Sequence, residues 1–440
     1  MQDVSTSIHM LPKLLEVTER VKRHPQGRTL ALAHLLDPEM LQAGYHRIRK
    51  GAAVGVDGVD KAQYGQELDR KIADLHQRLR TGRYRHQPIR RVHIPKAPGK
   101  TRPIGISTVE DKVVQNALSA VLQAVYEPVF LTCSYGFRPG RRAHDAIAAL
   151  DAAAMGGQTR WVLEADIQTF FDSIDRKMLM EFLSLRIADK SFLRLVGKCL
   201  HVGILDGADY SEPDEGTVQG STLSPLLGNV YLHHVLDTWF EQEVQPRLHG
   251  RATLVRYADD LVICFERKDD ADRVMTVLPK RMAKHNLTLH PEKTRLLPFH
   301  RPRGDDGGAK PDTFDFLGFT AYWRQTRRGS WVPAFKTRKA SQRKAIVAIG
   351  QWCRSHRHDP VKAQHAALSS RLRGHFNYFG INGNLSRMEA VQYATTCLWR
   401  KWLRRRSQRT TMTWQRFAAF LEARPLPTPR ICVQIWRPTP

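Results

Sequence analysis

The sequence lacks the signals that mark secreted, zinc-stapled or membrane-spanning proteins. Its six cysteines (Cys133, Cys199, Cys264, Cys353, Cys397 and Cys432) include no Cys-x-x-Cys pair, so neither a zinc site nor a disulfide framework is indicated, and a reducing compartment fits. No stretch approaches the roughly 18 consecutive apolar residues a bilayer span needs. The opening Met1-Gln2-Asp3-Val4 has no basic segment followed by an apolar one. The expectation is a protein of the bacterial cytoplasm, associated with the nucleoid and not with a membrane. No internal repeat is visible.

Acidic residues are scarce at the rear. Residues 321–440 hold 24 basic and 3 acidic side chains, a net +21 of the whole chain's +26, which leaves +5 for the first 320 residues. A chain with 69 Lys and Arg against 43 Asp and Glu suits a polyanionic partner better than a neutral metabolite. The asymmetry suggests a catalytic front of mixed charge and a rear that grips phosphates, with affinity that falls as salt rises. At 440 residues, two to four structural units are expected.

Hydrophobic spacing sketches an α+β chain. Leu11, Leu14, Leu15, Val17 and Val21 recur at helical period, and Leu30 to Leu41 form a second apolar-periodic run. Ile89, Val92 and Ile94, then Ile104 and Ile106, predict two short strands around a basic turn carrying Lys96, Lys100 and Arg102. Helical period returns over 109–130 and 141–154. Trp161 to Asp166 reads as a buried strand ending in an acid. Thr253–Tyr257 and Leu261–Phe265 read as a hairpin split only by Ala258-Asp259-Asp260, so its tip is acidic. Residues 302–312 predict a loop, and 337–440 helices rich in Arg and Trp with a Pro-rich end. The boundaries adopted are 1–84, 85–335, 336–395 and 396–440.

Carboxylates gathered in apolar strands raise one another's pKa unless a cation compensates them. Hard oxygen ligands suit Mg²⁺, with Mn²⁺ as a substitute. In a two-metal site the ions sit roughly 3.5–4 Å apart, one activating the attacking oxygen and the other steadying the leaving group, which serves nucleotidyl transfer. Asp166 and Asp259 are the candidate bridging ligands. Asp260 supports them, and Ile167 beside Asp166 completes the metal set. Tyr257-Ala258-Asp259-Asp260 alone is a weak signal. It gains weight from Asp166-Ile167-Gln168-Thr169-Phe170-Phe171-Asp172 and Gln219-Gly220-Ser221-Thr222-Leu223-Ser224-Pro225 in the required order.

This series resembles group II intron-encoded reverse transcriptases over nearly the whole chain. Gly55-Val56-Asp57-Gly58-Val59-Asp60 is similar to the extra amino-terminal block of that lineage. Ile94-Pro95-Lys96 through Arg102-Pro103-Ile104-Gly105-Ile106 is similar to its fingers hairpin, and Tyr135-Gly136-Phe137-Arg138-Pro139-Gly140-Arg141 continues the series. Leu289-His290-Pro291-Glu292-Lys293-Thr294 and Phe314-Asp315-Phe316-Leu317-Gly318-Phe319 resemble the last palm blocks, the second of which grips the primer end. Gly374-His375-Phe376-Asn377-Tyr378-Phe379-Gly380 resembles the thumb, or maturase-specific, signature. The resemblance implies a right-hand polymerase with fingers and palm over 85–335, a helical thumb over 336–395 and a basic DNA-binding segment over 396–440.

It also implies site roles. Lys96 and Arg102 bind the incoming triphosphate, and Phe171 occupies the position whose ring blocks a ribose 2′-hydroxyl, so dNTP is the expected substrate. Gln219 and Gly220 approach the template and nucleotide. Val218 stands where many relatives carry Pro, and Ser221-Thr222 where a second Gly is frequent, which bears on template handling and not on polymerisation. Arg138 and Arg141 touch the template or triphosphate, or else cap local structure. Arg400, Lys401, Arg404, Arg405 and Arg406, interleaved with Trp399 and Trp402, suit contacts to nucleic acid. With 38 residues after Trp402 and a single cysteine among them, no cysteine-paired nicking endonuclease is expected.

The leading reading is an RNA-directed DNA polymerase and maturase that takes an intron RNA template, a DNA primer or target, and dNTPs. The competing readings are a free-standing reverse transcriptase in DNA repair or phage defence, a non-catalytic RNA-binding splicing cofactor, and an RNA-dependent RNA polymerase. The intact acids weigh against the cofactor. Phe171 and the thumb signature weigh against the RNA polymerase.

Overall fold

A computed structural model describes residues 11–97, 100–207, 209–211, 216–217, 220–302, 312–407 and 412–436. The helices Pro12–Arg23 and Pro38–Arg47 turn Leu14, Val17, Val21, Met40 and Leu41 inward onto the helix Val109–Tyr126. That central helix is buried around most of its circumference, and Thr108 caps its start by accepting the Asp111 N–H. The largest core runs from Leu14 to Leu289 without interruption at residue 84. The leading segment is therefore a wall of the same unit as the sheets that follow.

Strands β1 (Ile89–Ala97) and β2 (Lys100–Ile106) form the expected hairpin. After the helix Ala143–Met155 comes β3 (Trp161–Gln168). Two short strands unforeseen in the sequence, β4 (Ile204–Asp206) and β5 (Asp209–Ser211), extend the hairpin into a sheet of order β2-β1-β4-β5. Strands β6 (Ala252–Tyr257), β7 (Asp260–Phe265), β8 (Thr288–Leu289) and β9 (Arg295–Pro298) gather around β3 in the order β6-β7-β3-β8, with β9 also paired to β3. A separate antiparallel sheet consists of β10 (Phe314–Phe316), β11 (Phe319–Gln325) and β12 (Trp331–Thr337).

The two-residue strand period decides where the acids point. Leu163, Ala165 and Ile167 of β3, with Leu261, Ile263 and Phe265 of β7, enter the large core. Val162, Val262 and Cys264 face a second core with Ile147, Leu150, Phe314, Phe319, Trp323 and Phe335. Glu164, Asp166 and Asp260 share that second face, beyond the edge of its apolar filling.

The helices Lys339–Ser355, Val361–Phe379, Leu385–Arg404 and Trp414–Ala423 enclose a third core containing Leu368, Leu372, Met388, Trp399 and Phe417. The change from strand to helix between Thr337 and Lys339 falls beside the boundary drawn at 335/336. No break occurs at 395/396, because Leu385–Arg404 is one helix and Trp399 Nε1 donates to Gln364 Oε1 at 2.9 Å within the shared core. The chain then returns: Cys432 N and Val433 N donate to Gly380 O at 2.6 and 3.0 Å, and Ile435 N to Asn382 Oδ1 at 2.8 Å. Among the described residues no helix is long and apolar enough to cross a membrane.

Candidate active site

Asp166 and Asp260 are register partners on β3 and β7, and Tyr257 pairs with Asp260 across β6 and β7. Ala258 and Asp259 are thus the two-residue tip of the hairpin. Such a tip requires positive φ, and Ala258 adopts +56° at some cost for a residue with a Cβ. Arg256 secures the turn from below. Fully buried, it donates to Ala258 O (3.0 Å), Asn229 Oδ1 (3.0 Å), Ser134 Oγ (2.7 Å) and both carboxylate oxygens of Asp237 (2.7 and 2.6 Å).

Burial, the charge of Asp259 and a hydrogen bond with Asp166 push Asp260 up to about 7. Burial also raises Asp259, opposed by Arg102 and Lys293. Three carboxylates, from β3, β7 and the tip before it, form a hard-oxygen donor set, and a divalent cation fits it. Ile167 offers only its main-chain carbonyl, because its aliphatic side chain is buried.

Several neighbours were not singled out from the sequence. Lys293 Nζ lies 2.5 Å from Asp166 Oδ2. Glu164, two residues before Asp166 on the same face, accepts from Arg295 Nε at 2.6 Å and Asp315 N at 3.0 Å. Burial is the main reason its pKa is raised. The three acids, Glu164, Lys293, Arg295, Arg102, Leu317 and Arg338 line one cleft of about 580 Å³. Strand alternation from Asp166 pointed to Glu164. Lys293 stands in a block that resembles the palm but had no role assigned from the sequence; it reaches Asp166 through the path of the chain between β8 and β9.

The other expected residues are dispersed. Arg102, exposed on β2, lines the cleft. Gly220 has φ +111°, and a Cβ there would lie 2.6 Å from Gly105 O, so Gly220 itself lies tight against β2. The Lys96 side chain and Gln219 lie outside the described residues. Phe171 is half-buried, packs on Phe170 (ring centroids 5.1 Å apart) and close to Gly228, and does not line the acidic cleft.

Of the two readings left open for Arg138, its contacts match the local one. Its buried guanidinium pairs with Glu127 at 2.7 Å and donates to Leu131 O and Ser134 O at 2.6 and 2.9 Å. Arg141 likewise donates to Thr132 O and Ser134 O at 2.7 and 2.9 Å and stacks on Tyr135.

In the helical unit, Arg400 lies 4.0 Å over the Trp414 ring, while Lys401 and Arg405 flank Trp402. Lys401, Arg404 and Arg405 are exposed, but Arg406 donates to His358 O and Asp359 O at 3.1 and 2.6 Å. These five residues line a basic groove with Arg357 and His358, apart from the acidic cleft.

A sequence model described as "Reverse transcriptase (RNA-dependent DNA polymerase)" matches residues 94–321, slightly more than half the chain. The chain is 32% identical over 327 residues to Protein YkfC of Escherichia coli (strain K12), covering 66% of this chain and 82% of that protein. It is 34% identical over 227 residues to Group II intron-encoded protein LtrA of Lactococcus lactis subsp. cremoris, covering 50% of this chain and 38% of that one. A third relative, an uncharacterized 91 kDa protein in a cob intron of Schizosaccharomyces pombe, is 36% identical over 239 residues, 53% of this chain and 29% of that protein. The chain thus spans well under half the length of these last two. With Arg102, Asp166, Asp259 and Asp260 all inside the matched span and gathered in one cleft, the chain belongs to the reverse transcriptase (RNA-dependent DNA polymerase) family, in the lineage of group II intron-encoded proteins.

Proposed function

We propose that this chain extends the 3′-hydroxyl of a DNA primer along an RNA template, taking dNTPs, and that it also acts as a maturase on a group II intron RNA in the bacterial cytoplasm, at the nucleoid. The observation that carries the reading is Asp166 facing Asp260 across the β3–β7 ladder with Asp259 at the adjoining tip. Asp166, Asp259, Asp260 and the Ile167 carbonyl would hold two Mg²⁺ ions, with Mn²⁺ able to substitute. Bound there, divalent ions supply activation of the attacking oxygen and charge stabilisation at the leaving phosphate.

The chain's own groups do the remainder. Arg102 offers a fork to the triphosphate from the edge of the acidic cleft, and Lys96 on the same hairpin shares that task. Gly220 and Gln219 belong to the loop that meets the nucleotide and template. Phe171 limits the sugar to one without a 2′-hydroxyl. Lys293 holds Asp166 by an ion pair and contributes positive charge to the cleft. The helices over 339–423 serve as thumb, and their exposed Lys401, Arg404 and Arg405 meet phosphates of RNA or DNA. Support for the maturase half is the similarity to LtrA, a group II intron-encoded protein.

The test uses purified protein, a DNA primer annealed to an RNA template, Mg²⁺ and either dNTPs or ribonucleotides. Extension with dNTPs is expected. Extension with ribonucleotides alone would overturn the substrate assignment, and no extension with either would overturn the polymerase. Addition of the protein to a group II intron transcript at low Mg²⁺ is expected to accelerate splicing; an unchanged rate on the intron flanking its own gene removes the maturase role.

A further inference from the structure

Phe137 combines two properties that do not help the fold. Its backbone lies in the left-handed region, φ +57°, where a bulky residue is strained, and 53% of its surface is exposed, so burial does little to offset that strain. Both neighbours force the conformation. On one side, Gly136 O accepts from Asn229 Nδ2 at 2.7 Å, and a Cβ on Gly136 would lie 2.5 Å from Ala258 N, so the backbone there is pressed against the catalytic turn. On the other, the buried Arg138 is pinned by Glu127 at 2.7 Å.

The preceding residues are equally fixed. Arg256 N donates to Cys133 O at 2.8 Å and Tyr135 N to Arg256 O at 2.9 Å, which lays this segment alongside β6. The clamp therefore holds one exposed aromatic ring beside the hairpin that carries Asp259 and Asp260. The Phe137 ring lies 6.4 Å from that of Tyr257, the residue paired with Asp260.

We propose that Phe137 is a contact residue for the primer–template duplex, its ring packing on a nucleoside next to the catalytic turn. An unsubstituted ring has no hydrogen-bonding group to read a base, so the contact is independent of sequence, as a polymerase requires. The proposal rests on the polymerase reading, because that reading puts a primer end at Asp259 and Asp260.

The test measures the dissociation constant of a fluorescent DNA-primer/RNA-template duplex without dNTPs, the melting temperature, and extension by the wild-type protein. Phe137→Ala is expected to weaken duplex binding by about fivefold or more, and Phe137→Trp to retain it. Phe137→Asn separates contact from fold, because asparagine tolerates positive φ: it is expected to weaken duplex binding as alanine does while melting at or above the wild-type temperature. Duplex affinity within twofold of wild type in Phe137→Asn overturns the inference, as does a loss of affinity that tracks a loss of melting temperature. Wild-type protein that fails to extend a primer overturns the polymerase reading instead, and the binding comparison still decides the role of Phe137.

Discussion

Asp260 stands directly across the β3–β7 ladder from Asp166 and shares a hydrogen bond with it, two acids side by side at the mouth of a cleft. The arrangement holds a proton until a cation replaces it. With Asp260 pushed up to about 7 in the fold, its ionisation costs metal-free protein stability as pH rises from the ordinary aspartate range, about 4, through that value. Below that window the cost is absent. A divalent ion restores the loss, so Mg²⁺ is expected to raise the melting temperature more at pH 8 than at pH 6. Its dissociation constant is expected to rise by up to about tenfold for each pH unit below 7. Calorimetric titration across that range checks this, and an affinity independent of pH would contradict it.

The turn depends on an ion pair that the sequence did not advertise. Arg256 and Asp237 are both completely buried and 2.6 Å apart, and Arg256 also holds the carbonyl of Ala258. Asp237→Ala leaves a buried guanidinium without its partner and is expected to destabilise the protein by about 3–5 kcal/mol in urea unfolding. A loss below 1 kcal/mol would show that the pair does not support the turn.

The acidic hairpin was legible because two short apolar runs flank a tip too short for anything but a turn, and Trp161 to Asp166 ended visibly in an acid. What escaped was set by tertiary path or by length. Strands β4 and β5 have three residues each, too few to show a period. Arg138 is buried because Glu127, eleven residues earlier, lies at the end of the central helix, a relation that spacing alone could not settle. The boundary at 395/396 came with the family resemblance, whereas the buried series Met388, Val391, Thr395, Trp399 and Leu403 continues through it at helical spacing.

Phe171 lies just beyond β3, half-buried against Phe170. Phe171→Ala is expected to admit ribonucleotides, lowering the kcat/KM preference for dNTP by about 10–100-fold. Unchanged sugar discrimination would return Phe171 to a packing role.

The basic groove makes a prediction about salt. Replacing exposed Lys401, Arg404 and Arg405 together by Gln is expected to reduce the slope of log affinity against log salt by about three, one per lost phosphate contact. Arg406→Gln is expected to act on thermal stability first, because that guanidinium serves the carbonyls of His358 and Asp359. Binding isotherms at several salt concentrations separate the two, and an unaltered slope in the triple variant would place the nucleic acid elsewhere.

The most direct test is single-nucleotide incorporation by Asp259→Asn on an RNA template with a DNA primer and Mg²⁺. The account expects the rate to fall by about a thousandfold or more, while the melting temperature in chelator stays level or rises because one repelling charge has gone. Extension near the wild-type rate would contradict the assignment of Asp259, and with it the two-metal site.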